Sequence, residues 1–148
     1  MELNRVVVTG LGAVTPVGNT PEEMWQNLLA GKSGAAPIVS FDTSNFKTKF
    51  ACEVKDLNVK DFIDRKEARR MDRCTQLALI SAIQGVKDSG IDLEKVDKNR
   101  VGVVYGIGIG GIKTFQEEVM YYGQHYEDGP KFNPFFIPKM ISDISAGQ

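Results

Sequence analysis

One histidine and two cysteines leave this sequence short of the groups from which metal centres and catalytic dyads are built. His125 has no second histidine to share a metal ion with, and its polar surroundings, HYEDGPKFNP, mark it as a surface or loop residue. Cys52 and Cys74 have neither metal-binding nor redox spacing, and both read as buried structural thiols. Neither sign of charge is in excess. Lys and Arg total 18 against 19 Asp and Glu, which argues against a global attraction to nucleic acid. No apolar run approaches the length of a membrane span. The first ten residues, MELNRVVVTG, carry an early acid and no hydrophobic core of a secretory signal. The expectation is a cytoplasmic protein with no metal, no membrane and no nucleic-acid partner.

Hydrophobic residues at 42% and charged residues at 25% suit a folded domain and exclude a disordered chain. Two segments read as buried strands, RVVVTG at 5–10 and RVGVVYG at 100–106. KFACEV at 49–54 alternates like a short strand, and residues 32–48 read as loop. Thr20, Pro21 and Glu23 open a helix that Gly31 ends, with Met24, Trp25, Leu28 and Leu29 as its apolar face. A second capping box, Asp64 with Glu67, opens a long helix over about 65–89, charged at its start and apolar later. A further helix is expected from Ile112, with Phe115, Val119 and Tyr122 on its apolar side. Strands alternating with helices predict an α/β fold. Two strongly apolar strands are few for a closed α/β core, so the chain reads as part of a larger domain.

Two glycine-rich turns invite a nucleotide reading. Gly10-Leu11-Gly12 follows the first strand, but Thr15 stands where the third fingerprint glycine belongs, and Pro16 and Gly18 keep a helix from starting there. GIGIGG at 106–111 lacks P-loop spacing, because Lys113 and Thr114 come too late. Close backbone packing or a mobile loop accounts for these glycines better than a phosphate does. Lys66, Arg69, Arg70 and Arg73 fall at helical spacing on one face. That face is either simply solvated or a docking patch for an acidic partner. Phe132, Phe135 and Phe136, with Pro134 and Pro138, form core, an oligomer contact or the wall of an apolar pocket.

RVVVTGLGAVTPVGNT, LLAGKSG, FDTSNFKTKFACEV, DRKEARRMDR, GIGIGG, NPFFIP and SAG occur in this order. Together they resemble the β-ketoacyl-acyl carrier protein synthases, most nearly the synthase II type of bacterial fatty acid synthesis. The resemblance runs from Arg5 to Gly147. It implies a thiolase-like fold, an αβαβα sandwich of which residues 1–148 are the N-terminal part of the first domain, and a homodimeric enzyme. It implies decarboxylative condensation of an acyl group, held on an active-site cysteine, with malonyl-acyl carrier protein, with no cofactor.

The family's nucleophilic cysteine and both of its histidines fall beyond Gln148, so no catalytic residue is expected here and the chain is expected to be inactive alone. By the same resemblance Lys66, Arg69 and Arg70 match the basic docking patch for acyl carrier protein. Ile109, flanked by Gly108, matches an isoleucine bordering the acyl pocket, and Phe135 and Phe136 match the segment at the dimer side of that pocket. A non-catalytic chain-length-factor-like subunit remains an alternative, and a small nucleotide-binding domain a remote one.

Overall fold

The computed structural model describes residues 4–148. They divide into two units. One holds the described residues through Asn58 together with Ser81–Ile91; the other holds Val59–Ile80 and Asp92–Gln148.

In the first unit, helix α1 spans Pro21–Leu29. The Thr20 hydroxyl accepts from the Glu23 N–H at 3.1 Å, and the Glu23 carboxylate accepts from the Asn19 N–H at 2.7 Å. The capping box therefore closes one residue earlier than the sequence suggests. Ala30 ends the helix, and Gly31 takes the left-handed conformation that follows. Strands β1 (Ala35–Pro37) and β2 (Phe50–Cys52) pair antiparallel, with Ala36 opposite Ala51. The expected loop over 32–48 thus contains a strand. Pro37 is tolerated because a two-stranded ribbon is all edge, and the next N–H, that of Ile38, reaches the Lys49 carbonyl. A ribbon this narrow covers little, and Cys52 is exposed rather than buried.

Helix α3, Arg73–Ser89, contributes its second half to this unit. The turn after residues 5–10 lies along it. A Cβ placed on Gly10 or Gly12 would strike the backbone of Ser81, Gly85 or Ser89, one small side per helical turn. The Leu11 N–H donates to Asp88 and the Ala13 N–H to Gln84, whose amide donates on to the Asn19 carbonyl. These glycines serve contact with a helix.

The second unit carries α2 (Arg65–Arg70), the first half of α3, α4 (Ile112–Gln124) and α5 (Phe136–Met140). Its core is built on Ile63, Met71, Ala78 and Ile80, with Asp72, Thr75 and Thr114 also buried. The single helix expected over 65–89 is two helices. Met71 is extended between them (φ −107°, ψ 142°), and the Asp72 carboxylate caps α3 by accepting from the Cys74 N–H at 3.1 Å. Breaking the helix lets Met71 and Asp72 both turn inward. The Asp64 side chain does cap α2, accepting from the Lys66 N–H, but Glu67 pairs with Arg70 instead of completing a box.

The two expected strands depart most from the sequence reading. Residues 5–10 and 100–106 join no strand pairing among the described residues, and Val8 (80%) and Val104 (99%) are exposed. A buried parallel strand exists only through its neighbours, and valine runs supply the propensity without the partner. Trp25, Leu28 and Leu29 on α1 and Ile112, Phe115 and Val119 on α4 are likewise exposed where an apolar core face was expected.

Candidate functional site

Of the four cations expected on one face, three stay together. Lys66, Arg69 and Arg70 are exposed on α2, while Arg73 begins α3 beyond the break and is half-buried. Arg70 reaches Glu67 at 3.2 Å, an exposed pair worth at most about 1 kcal/mol. Its guanidinium also lies 5.3 Å from the Phe135 ring centre. Arg70 is therefore oriented, by a carboxylate on one side and an aromatic face on the other. Glu67, Arg70, Met71, Phe135, Pro138 and Ile144 help line a cavity of about 250 Å³ beside it.

The other expected site residues are spread over the same unit. Phe136 stacks on Phe132 at 5.4 Å and Phe115 at 6.3 Å, and Tyr122 joins Phe132 at 5.5 Å. Phe135, next in the chain, points instead to Arg70. A Cβ added at Gly108 would meet open space and Ile109 is 71% exposed, so Gly108, Ile109, Phe135 and Phe136 share no enclosed wall here. Beyond Ile109 the chain is held tightly. Gly110 has φ +88°, a Cβ on it or on Gly111 would collide with the backbone of Lys139 and Met140, and the Gly111 N–H donates to the Met140 carbonyl at 3.3 Å.

Asp72 was not among the expected site residues, although an aspartate inside a helical pattern is a recognisable cap signal. Its second carboxylate oxygen accepts from the Thr114 hydroxyl at 2.5 Å and the Thr114 N–H at 3.3 Å. Thr75, one turn on, is bonded by Ser145 at 3.0 Å. Burial pushes the Asp72 carboxyl up, but the hydrogen bonds from Thr114 and Cys74 outweigh it and hold the group below its ordinary value. A carboxyl lowered on folding contributes stability above its unfolded pKa and loses it as pH falls through the folded value. The difference in unfolding free energy between the parent and Asp72→Asn is therefore expected to be constant near neutrality and to shrink below about pH 4. Denaturant unfolding at several pH values checks this; a difference that does not change with pH would remove the charge from the account.

The same carboxylate bears on nucleotide binding. It already occupies the N-terminal turn of α4, where a phosphate would otherwise sit, and would repel one. Burial pushes the Cys74 thiol up, and the neighbouring Asp72 charge adds to this, so Cys74 has the opposite of an activated nucleophile's surroundings. His125 is exposed at the end of α4 and stacks on Tyr121 at 4.3 Å. Among the described residues no group of acidic, cysteine and histidine side chains is placed to hold a metal, and no helix is long and apolar enough to cross a membrane.

The comparisons with known proteins agree on one family. A 3-oxoacyl-[acyl-carrier-protein] synthase 2 of Staphylococcus aureus is 43% identical over 97% of this chain and 34% of its own length. That of Synechocystis is 40% identical over 99% of the chain and 35% of its own. The chain thus spans about a third of the curated relatives it matches. Among solved structures, the ishigamide ketosynthase/chain length factor superposes with a TM-score of 0.83 at 26% identity, over 94% of this chain and 34% of that one. The fold is thiolase-like, in its N-terminal portion. With residues 3–147 matching the model of the β-ketoacyl synthase N-terminal domain, the chain belongs to the β-ketoacyl synthase family.

Proposed function

We propose that residues 1–148 are the N-terminal part of the first thiolase-like domain of a 3-oxoacyl-[acyl-carrier-protein] synthase of fatty acid elongation, a cytoplasmic homodimer. The observation that carries this is the identity to synthase 2 enzymes along nearly the whole chain. In the proposed reaction a cysteine thiolate outside this chain attacks the acyl-carrier thioester, the carrier's thiol leaves, and the cysteine holds the acyl group as a new thioester. Malonyl-acyl carrier protein loses CO2, and the resulting carbanion attacks the thioester carbonyl and expels the cysteine thiolate. That leaves recognition to this chain. Lys66, Arg69 and Arg70 receive the acyl carrier protein, for which their shared exposure on α2 suits them. Gly108 and Ile109 border the acyl pocket, and Phe135 and Phe136 form its dimer-side wall. The chain-length-factor-like reading is the weaker one, because the curated relatives compared above are synthases.

The test is formation of a 3-oxoacyl product two carbons longer, from acyl- and malonyl-carrier substrates, by the full-length protein. Absence of product defeats the synthase reading. The 148-residue chain by itself is expected to form none, since its described residues hold no activated nucleophile and base. In the active enzyme Ile109→Phe should lower kcat/KM for the longest acyl substrate about 10-fold while sparing short ones, the scale on which filling an apolar pocket discriminates. An unaltered chain-length profile would remove Ile109 from the pocket.

A further inference from the structure

We propose that Asp72 and Thr114 form a polar clamp that fixes the anchor of the 106–111 segment, and that they are positioning residues for acyl chain-length selection. The selection step rests on the proposed place of Ile109 beside the acyl pocket; the clamp itself rests on geometry. Asp72 is 6% exposed and Thr114 8%, and the carboxylate receives both the hydroxyl and the N–H of Thr114 in the first turn of α4. That turn follows directly on Gly110 and Gly111. The Phe115 N–H donates to the Gly111 carbonyl at 3.0 Å, so the glycine pair is built into the start of α4. On its other side the pair is packed against the backbone of Lys139 and Met140.

The contrast along the segment gives the clamp its consequence. A methyl group added at Gly106 or Gly108 would meet open space and Ile109 is exposed, whereas Gly110 and Gly111 leave no room for one. Close packing therefore begins at Gly110, where the positive φ turns the chain. The position of that point depends on α4, which Asp72 ties to the cap of α3. Thr75, in the first turn of α3, is bonded by Ser145, so that turn also meets the 3-10 turn Asp143–Ala146. A buried charged hydrogen bond constrains more strongly than a neutral one, and loss of one partner strands the other.

The experiment compares Thr114→Val, which replaces the hydroxyl by a methyl group, with Thr114→Ser, which keeps the hydroxyl and loses the methyl, in the full-length synthase. Amide exchange at residues 110–112 is expected to quicken about 10-fold in Thr114→Val and to return to the parent rate in Thr114→Ser. Thr114→Val should also change the ratio of KM values for long and short acyl substrates with kcat for the short one unchanged. A lowered melting temperature with exchange and KM ratio unmoved would make the pair merely structural and overturn the proposal. A parent enzyme that condenses nothing would overturn the synthase reading, and chain-length selection with it; an active parent whose profile Thr114→Val leaves alone would overturn only this inference.

Discussion

Arg69→Glu combined with Arg70→Glu should weaken binding of an acidic acyl carrier protein about 50-fold or more at low ionic strength, because like charges are then brought together at a docking surface. The loss should shrink as salt is raised past about 0.15 M, where exposed charges further apart than roughly 8 Å are screened. Most of it should lie in the association rate, the signature of steering. The two positions differ in a way that separates charge from shape. Arg69 is exposed on α2, so Arg69→Glu alone reports charge. Arg70 is held by Glu67 and Phe135, so Arg70→Glu also releases an aromatic contact and sets two carboxylates side by side. Arg70→Gln with Arg69 intact releases the aromatic contact and the Glu67 pair without setting a second carboxylate beside Glu67. Titration calorimetry with purified carrier protein at two salt concentrations decides the matter. Unchanged affinity in the double variant would take the basic helix out of the docking surface.

That the basic residues lie on a helix was readable from their spacing; that the helix is a short one, which Arg73 leaves, was not. The difference lies in Met71-Asp72. Helical periodicity runs through these two residues without interruption, and only the competition between an aspartate's carboxylate and the backbone breaks it. Helix starts were legible wherever a side chain does the capping locally, as Thr20 and Asp64 do. The strands were not. Val6–Val8 and Val101–Tyr105 have the composition of buried strands yet lie open, because a strand is specified by residues far away in sequence. The relatives are about three times as long as this chain, and we propose that their remaining part supplies the pairing that these valines lack. We propose that the same limit applies to the pocket: Ile109 and Phe136 could be singled out by motif, and the surface they would complete draws on the part of the relatives that this chain does not span. Asp72 is the opposite case, a polar residue legible as a cap whose second bond, to Thr114 forty-two positions on, only the folded chain reveals.

Gly12→Val is expected to be the most damaging single substitution in the first unit, lowering stability by about 3 kcal/mol or preventing folding of that unit, since overpacking against backbone cannot be relieved by a rotamer change. The Cβ would enter the space of the Ser81 carbonyl oxygen and the Gly85 nitrogen. Either α3 moves away, breaking the bonds from Gln84 to Ala13 and Asn19, or the 10–14 turn does, breaking the bond between Leu11 and Asp88. The helix offers no give of its own, because Ser81, Gly85 and Ser89 already form a small ridge there. Gly123→Ala is the control. Gly123 lies within α4 with open space around it and should gain up to about 1 kcal/mol from helix propensity. Urea unfolding of the two variants beside the parent separates the readings. If both glycines tolerate a side chain equally, close packing on α3 does not explain Gly10-Leu11-Gly12, and the turn must be held open for another reason. If only Gly12 fails, the glycines that suggest a dinucleotide fingerprint are there to let a turn lie against a helix.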